Sequence, residues 1–227
     1  MRGRILCAAG VLWLAGCAQD PLAEHSIYPG LSPFERPSGP LVRVLETDSA
    51  TPDKQGLLYT SMRDAEVAAT YAGRPLARLD EPGETESALA EVIYAIEPAA
   101  APAWNAEDYA FGPNWASHGY GLQRSLNRIA AELATASDDG PAAAALREHV
   151  PRALRCTENT QDRADRVLSL SRGVLAEVGE AARLPMLEQI KETAEALNRG
   201  VPAPGETGCG LQEVERQLNE VVPARTG

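Results

Sequence analysis

From about residue 57 onward the apolar positions recur with the period of an α-helix; before that point they do not. Leu89, Val92, Ile93 and Ile96 fall at i, i+3, i+4 and i+7, one stripe along one side of a helix. That helix is expected to start near Thr85, where Glu84 and Glu86 suit its positive end, and to stop at Pro98. An earlier one is expected from Ser61 as N-cap, through Met62, Ala65, Ala69 and Ala72, to a stop at Gly73. A third runs from about Gly121 to Ser137, with Leu122, Leu126, Ile129, Ala130 and Leu133 facing inward. Pro141 suits the first turn of a long helical region. Pro151 is expected to kink or restart that region, since a proline ring clashes with the carbonyl four residues back. Leu154, Ala164, Val167, Leu168, Leu175 and Val178 keep its register. Pro185 opens the next helix, which carries Leu187, Ile190, Ala194 and Leu197 to Gly200. After a Gly- and Pro-rich loop over 200–208, the last helix uses Leu211, Val214, Leu218 and Val221. Strand signals are nearly absent beyond residue 60. The pattern predicts an all-α fold: an antiparallel bundle of four to six helices over 57–227.

Residues 17–56 read differently. Pro21, Pro29, Pro33, Pro37, Pro40 and Pro52 interrupt the segment every few residues. Proline removes backbone donors and favours extended chain, so the expectation is a tether with no helix, reaching on the order of 100 Å at ~3.1 Å per residue. Within it, Leu41-Val42-Arg43-Val44-Leu45 alternates briefly and suggests one short edge strand.

Ahead of the tether stands a third pattern. Arg2 and Arg4 precede an apolar run from Ile5 to Leu14, too short to cross a bilayer as a helix. Leu14-Ala15-Gly16-Cys17 closes it. This stretch resembles the signal and lipobox of a bacterial lipoprotein precursor; an ordinary secretory signal or an apolar N-terminal helix is the alternative. The resemblance covers only the first 17 residues and implies cleavage after residue 16, with palmitate-type acyl chains on Cys17. It implies a membrane anchor through covalent lipid, strong enough to be stable because more than one chain contributes. Ala18, where inner-membrane lipoproteins often carry Asp, implies the outer membrane of a Gram-negative cell, facing the periplasm.

Charge narrows the partners. The 227-residue chain has 21 basic and 32 acidic residues, a net of −11. Loss of Arg2 and Arg4 with the signal would take this to −13. Such a balance excludes the electrostatic footprint of a nucleic-acid binder and leaves lipid, not a basic face, to hold the protein at a membrane.

Cysteine use follows the compartment. With Cys7 in the signal and Cys17 lipidated, Cys156 and Cys209 remain, and an oxidising periplasm favours a disulfide between them. Two free thiols, or half of a metal site, are the alternatives. No CxxC and no paired histidines give zinc spacing.

The densest candidate for recognition is the connection over 98–120. Trp104, Tyr109, Phe111, Trp115 and Tyr120 are half of the ten aromatics beyond residue 17. Connections this long in compact domains carry function or lack order, and aromatic density argues against the second. Trp104, Tyr109, Phe111, Trp115, His118, Tyr120 and Arg124 form a candidate binding loop; a cap over one end of the bundle is the simpler use of the same rings. Gly119-Tyr120-Gly121 lacks the third glycine of a dinucleotide cradle, since position 124 is Arg124, and no strand precedes it. The glycines instead suit a tight turn into the third helix.

His118 and His149 could serve together as haem or metal ligands, although no CxxCH, HExxH or Glu-x-x-His pair supports them. No GxSxG occurs, and no Ser or Cys nucleophile has a base nearby in sequence. The expectation is therefore a non-catalytic component without a cofactor that binds an envelope protein, with a haem- or metal-binding bundle as the alternative.

Overall fold

A computed structural model describes residues 39–79, 81–101, 119–136, 142–176, 179–202 and 208–225. The described residues are helical, with no strand among them. Six long helices make the bundle: α2 (Leu57–Ala72), α4 (Pro82–Ile96), α5 (Leu122–Thr135), α6 (Ala143–Leu175), α7 (Glu180–Arg199) and α8 (Leu211–Arg225). Two short ones, α1 (Pro40–Leu45) and α3 (Arg74–Ala77), and a 3-10 turn at Pro98–Ala100 complete the described elements. No described helix is long and apolar enough to cross a membrane.

The 33-residue α6 is the spine, about 50 Å long at 1.5 Å per residue. It packs against α4, α5, α7 and α8, while α2 packs against α4, α5 and α7 on the other side of the core. Cross-helix contacts give the directions. On α5 and α6, Gln123 donates to Asp165 and Gln161 donates to Asn127, so the sequence numbers run oppositely. Between α6 and α8, His149 meets Gln217, and Cys156 meets Cys209 just ahead of α8, again antiparallel. Leu89, Val92, Ile93 and Ile96 are all buried, as are Leu126, Ile129, Leu187, Ile190, Leu197, Leu211, Val214 and Leu218. The expected all-α antiparallel bundle is the observed one.

Several boundaries differ. α2 starts at Leu57, not Ser61; the Ser61 hydroxyl is buried and donates back to the Leu57 carbonyl at 2.8 Å. It satisfies itself within the helix instead of capping it, a competing use of the same short polar side chain. α7 begins at Glu180, so Pro185 lies inside it and one intrahelical bond is forgone. α6 runs as one helix through Pro151. The loss of a single donor there is outweighed by burial of Leu146, Val150 and Ala153 on the same helix.

The largest correction concerns the expected tether. Its described part, 39–56, is neither extended nor a strand. Pro40 occupies the first turn of α1, where its missing N–H is no loss, and Leu41, Val42 and Val44 are buried against the bundle. Residues 48–55 then close on themselves: Asp48 N–H donates to the Gln55 carbonyl, and the buried Thr51 hydroxyl reaches the carbonyls of Asp48 and Gln55. Gly56 passes so close to Leu45 and Glu46 that a Cβ there would lie 2.6 Å from the Leu45 carbonyl carbon. The segment is a strap sewn onto the domain. The lipobox with Cys17 and the rest of the Pro-rich stretch lie outside the described residues.

Candidate functional site

Of the candidate loop, Trp104, Tyr109, Phe111, Trp115 and His118 lie outside the described residues; Tyr120 and Arg124 are described. The site is therefore the root of that connection, where the described chain stops at Ala101 and resumes at Gly119. Backbone geometry fixes it. Gly119 and Gly121 have φ of 80° and 85°, a region that disfavours side chains. A Cβ on Gly121 would come within 2.4 Å of the Pro98 ring, so the turn into α5 packs directly on the turn that ends α4. The expectation of a tight glycine turn is met.

Tyr120, between these glycines, is directed inward and is 5% exposed. The Arg124 guanidinium, one turn on along α5, lies 4.6 Å from the centre of its ring, a cation–π contact on the outer side. Arg128, another turn on, donates to the Tyr120 hydroxyl at 2.8 Å. The same guanidinium pairs with the carboxylate of Asp48, which is 2% exposed, at 2.5 and 3.1 Å. Burial works against the charge on Arg128, but hydrogen bonds to Tyr120 and Asp48 outweigh it and raise its pKa above the usual arginine value. One turn further, Glu132 takes a two-pronged pair from Arg43 of α1. Tyr120 thus belongs to the packed interior, and Arg124 is the member of the pair exposed to solvent. A stacked guanidinium held this way can receive a carboxylate or another planar anion.

His149 sits elsewhere, on the α6–α8 face. Its Nδ1 is 2.8 Å from Gln217 Oε1, and Gln217 Nε2 donates to Glu213 at 2.7 Å. A carboxylate only accepts, so the Gln217 amide presents its NH2 to Glu213 and its oxygen to His149. Nδ1 is therefore the donor in this contact. Arg216 grips the same carboxylate at 2.8 and 2.6 Å and, with Gln217, holds Glu213 below the usual carboxylate range against an opposing effect of burial. The partner imagined for His149, His118, lies outside the described residues. No group of three or more His, Cys, Asp or Glu side chains suited to a metal occurs among the described residues.

Cys156 and Cys209 form a disulfide, which removes the alternatives of two free thiols and half of a metal site. Cys156 is fully buried in the middle of α6, and Cys209 immediately precedes α8. Asn159 donates to the Cys209 sulfur at 3.5 Å, and Arg163 donates to the Cys209 carbonyl at 2.6 Å. Burial pushes the Arg163 pKa below the usual arginine value, with nearby Asp162 acting in the other direction.

Asp48, Arg128, Gln217 and Arg163 were not legible in the sequence as members of these clusters. Asp48 and Arg128 are 80 residues apart, and no spacing rule links them. The available signal was weak: Asp48 followed two residues later by a backbone N–H it accepts, at Ala50, is a turn-forming aspartate.

No protein-family model, curated protein or solved structure matches the chain.

Proposed function

We propose that this chain is a non-catalytic lipoprotein of the outer membrane, anchored through Cys17 and facing the periplasm, where it acts as a binding or assembly component of the cell envelope. The observation that carries this reading is Leu14-Ala15-Gly16-Cys17 behind a basic, apolar leader. Pairing of the two remaining cysteines supports it, since disulfides persist in oxidising compartments. The described part of the chain adds a packed helical platform. In the sequence, five aromatics fall between the end of α4 and the start of α5, and the return of that connection is held by Tyr120, Arg124 and Arg128. Recognition by rings set on a fixed root, with Arg124 at the rim for an anionic group, suits a protein partner. Residues 18–38, still rich in proline, serve as the spacer between anchor and domain.

The test is recovery of envelope partners by the full-length protein after mild crosslinking, compared with a Trp104→Ala/Trp115→Ala variant of the same thermal stability. Loss of partner recovery in the variant supports the recognition role. Unchanged recovery refutes it.

A further inference from the structure

Three hydrogen bonds converge on one side chain. Arg128 Nη2 and Nη1 reach both carboxylate oxygens of Asp48, in the strap ahead of α2. Arg128 Nη1 also reaches the hydroxyl of Tyr120, at the point where the 102–118 connection rejoins the bundle. We propose that Arg128 is a coupling residue: docking of the 39–56 strap on α5 sets the position of Tyr120, and displacement of the strap is transmitted to the Gly119–Gly121 turn. This coupling does not depend on a lipid anchor.

Planarity and shared donors tie the two contacts together. A guanidinium is planar, with its donors in a fixed fork, so the two contacts cannot be adjusted independently. Asp48 is buried, and it also accepts from the Ala50 N–H of its own turn. A buried carboxylate that loses its cation is left uncompensated, which is costly, so Asp48 and Arg128 move together or separate with a large loss. On the other side, Tyr120 has little room. Arg124 covers its outer face, Gly121 abuts Pro98, and a Cβ on Gly119 would lie 3.1 Å from the Tyr94 hydroxyl. A change at Asp48 therefore reaches the turn through one guanidinium. The strap is held at a second point by Arg43 and Glu132, one helical turn along the same face of α5. The strap and the turn are thus read by a single helix face carrying residues 124, 128 and 132.

A double-mutant cycle on the full chain tests this, with Asp48→Asn and Tyr120→Phe made singly and together. If Arg128 couples them, the unfolding constant of the double variant differs from the product of the single effects by threefold or more. The discrepancy then disappears when the cycle is repeated on an Arg128→Met background. Amide exchange gives a second readout. Asp48→Asn should speed exchange at Gly119–Leu122 tenfold or more while α7 and α8 change only in step with global stability. Coupling is reciprocal, so Tyr120→Phe should speed exchange across residues 46–51, which serves if Asp48→Asn does not fold. Single effects that multiply, with exchange changes confined to the mutated segment, would overturn the proposal.

Discussion

Cys209, at the entrance to α8, is covalently bound to Cys156, fully buried in the middle of α6. The bond closes a loop across 53 residues that contains all of α7. Chain entropy assigns such a closure about 4 kcal/mol, in a model whose mechanism is disputed. The Cys156→Ser/Cys209→Ser variant should lose stability of that order in denaturant unfolding. Wild type under reducing conditions should match it.

Gly121→Ala should destabilise by more than a typical surface change. It meets two penalties at once, a φ of 85° and a Cβ placed 2.4 Å from the Pro98 ring. A loss of about 2 kcal/mol or more in thermal unfolding is expected. Gly83→Ala, in α4 with open space around its Cβ, should be neutral or stabilising by comparison.

Tyr71 is buried in α2, beneath Arg74, whose guanidinium lies 4.2 Å from its ring centre. Burial, aided by the charge of Glu91 and opposed by Arg74, raises its pKa to about 12. The neutral phenol is the form the fold prefers. Its contribution is therefore fully present below pH ~10, the unfolded value, and is lost as pH rises through about 12. Ultraviolet titration should show one tyrosine ionising near pH 12 in the folded protein. Tyr71→Phe should remove that step and flatten the fall of stability in alkali.

Leu41→Ala should cost about 2–5 kcal/mol, the range for emptying a fully buried leucine site. If residues 39–56 were only a spacer the same change would be silent, so thermal unfolding decides between strap and tether directly.

The contrast between strap and tether shows how far sequence reading reached. Long stripes such as Leu89, Val92, Ile93 and Ile96 are local facts, and each became a buried helix face. Cys156 and Cys209 were legible because only two cysteines remained to pair. Residues 39–56 misled because proline frequency speaks for extended chain, yet Pro40 at the first turn of α1 starts a helix. Leu41, Val42 and Val44 are then held by contacts with α2 and α5, which no local pattern contains. Ser61 misled for a related reason: the same hydroxyl caps a helix or bonds back within it, and the burial of Leu57 and Leu58 moved the start upstream. At the candidate site, the glycine turn around Tyr120 was legible from residue type. Its tie to Asp48 was not, because an ion pair spanning 80 residues is a property of the folded chain alone.

The anchored-component reading rests most directly on Cys17. Cells expressing the full-length protein should incorporate radiolabelled palmitate into it, and the labelled protein should fractionate with the outer membrane. Cys17→Ser should abolish the label and leave the unprocessed chain. A mature protein that carries no label, or a Cys17→Ser variant labelled like wild type, would contradict the account.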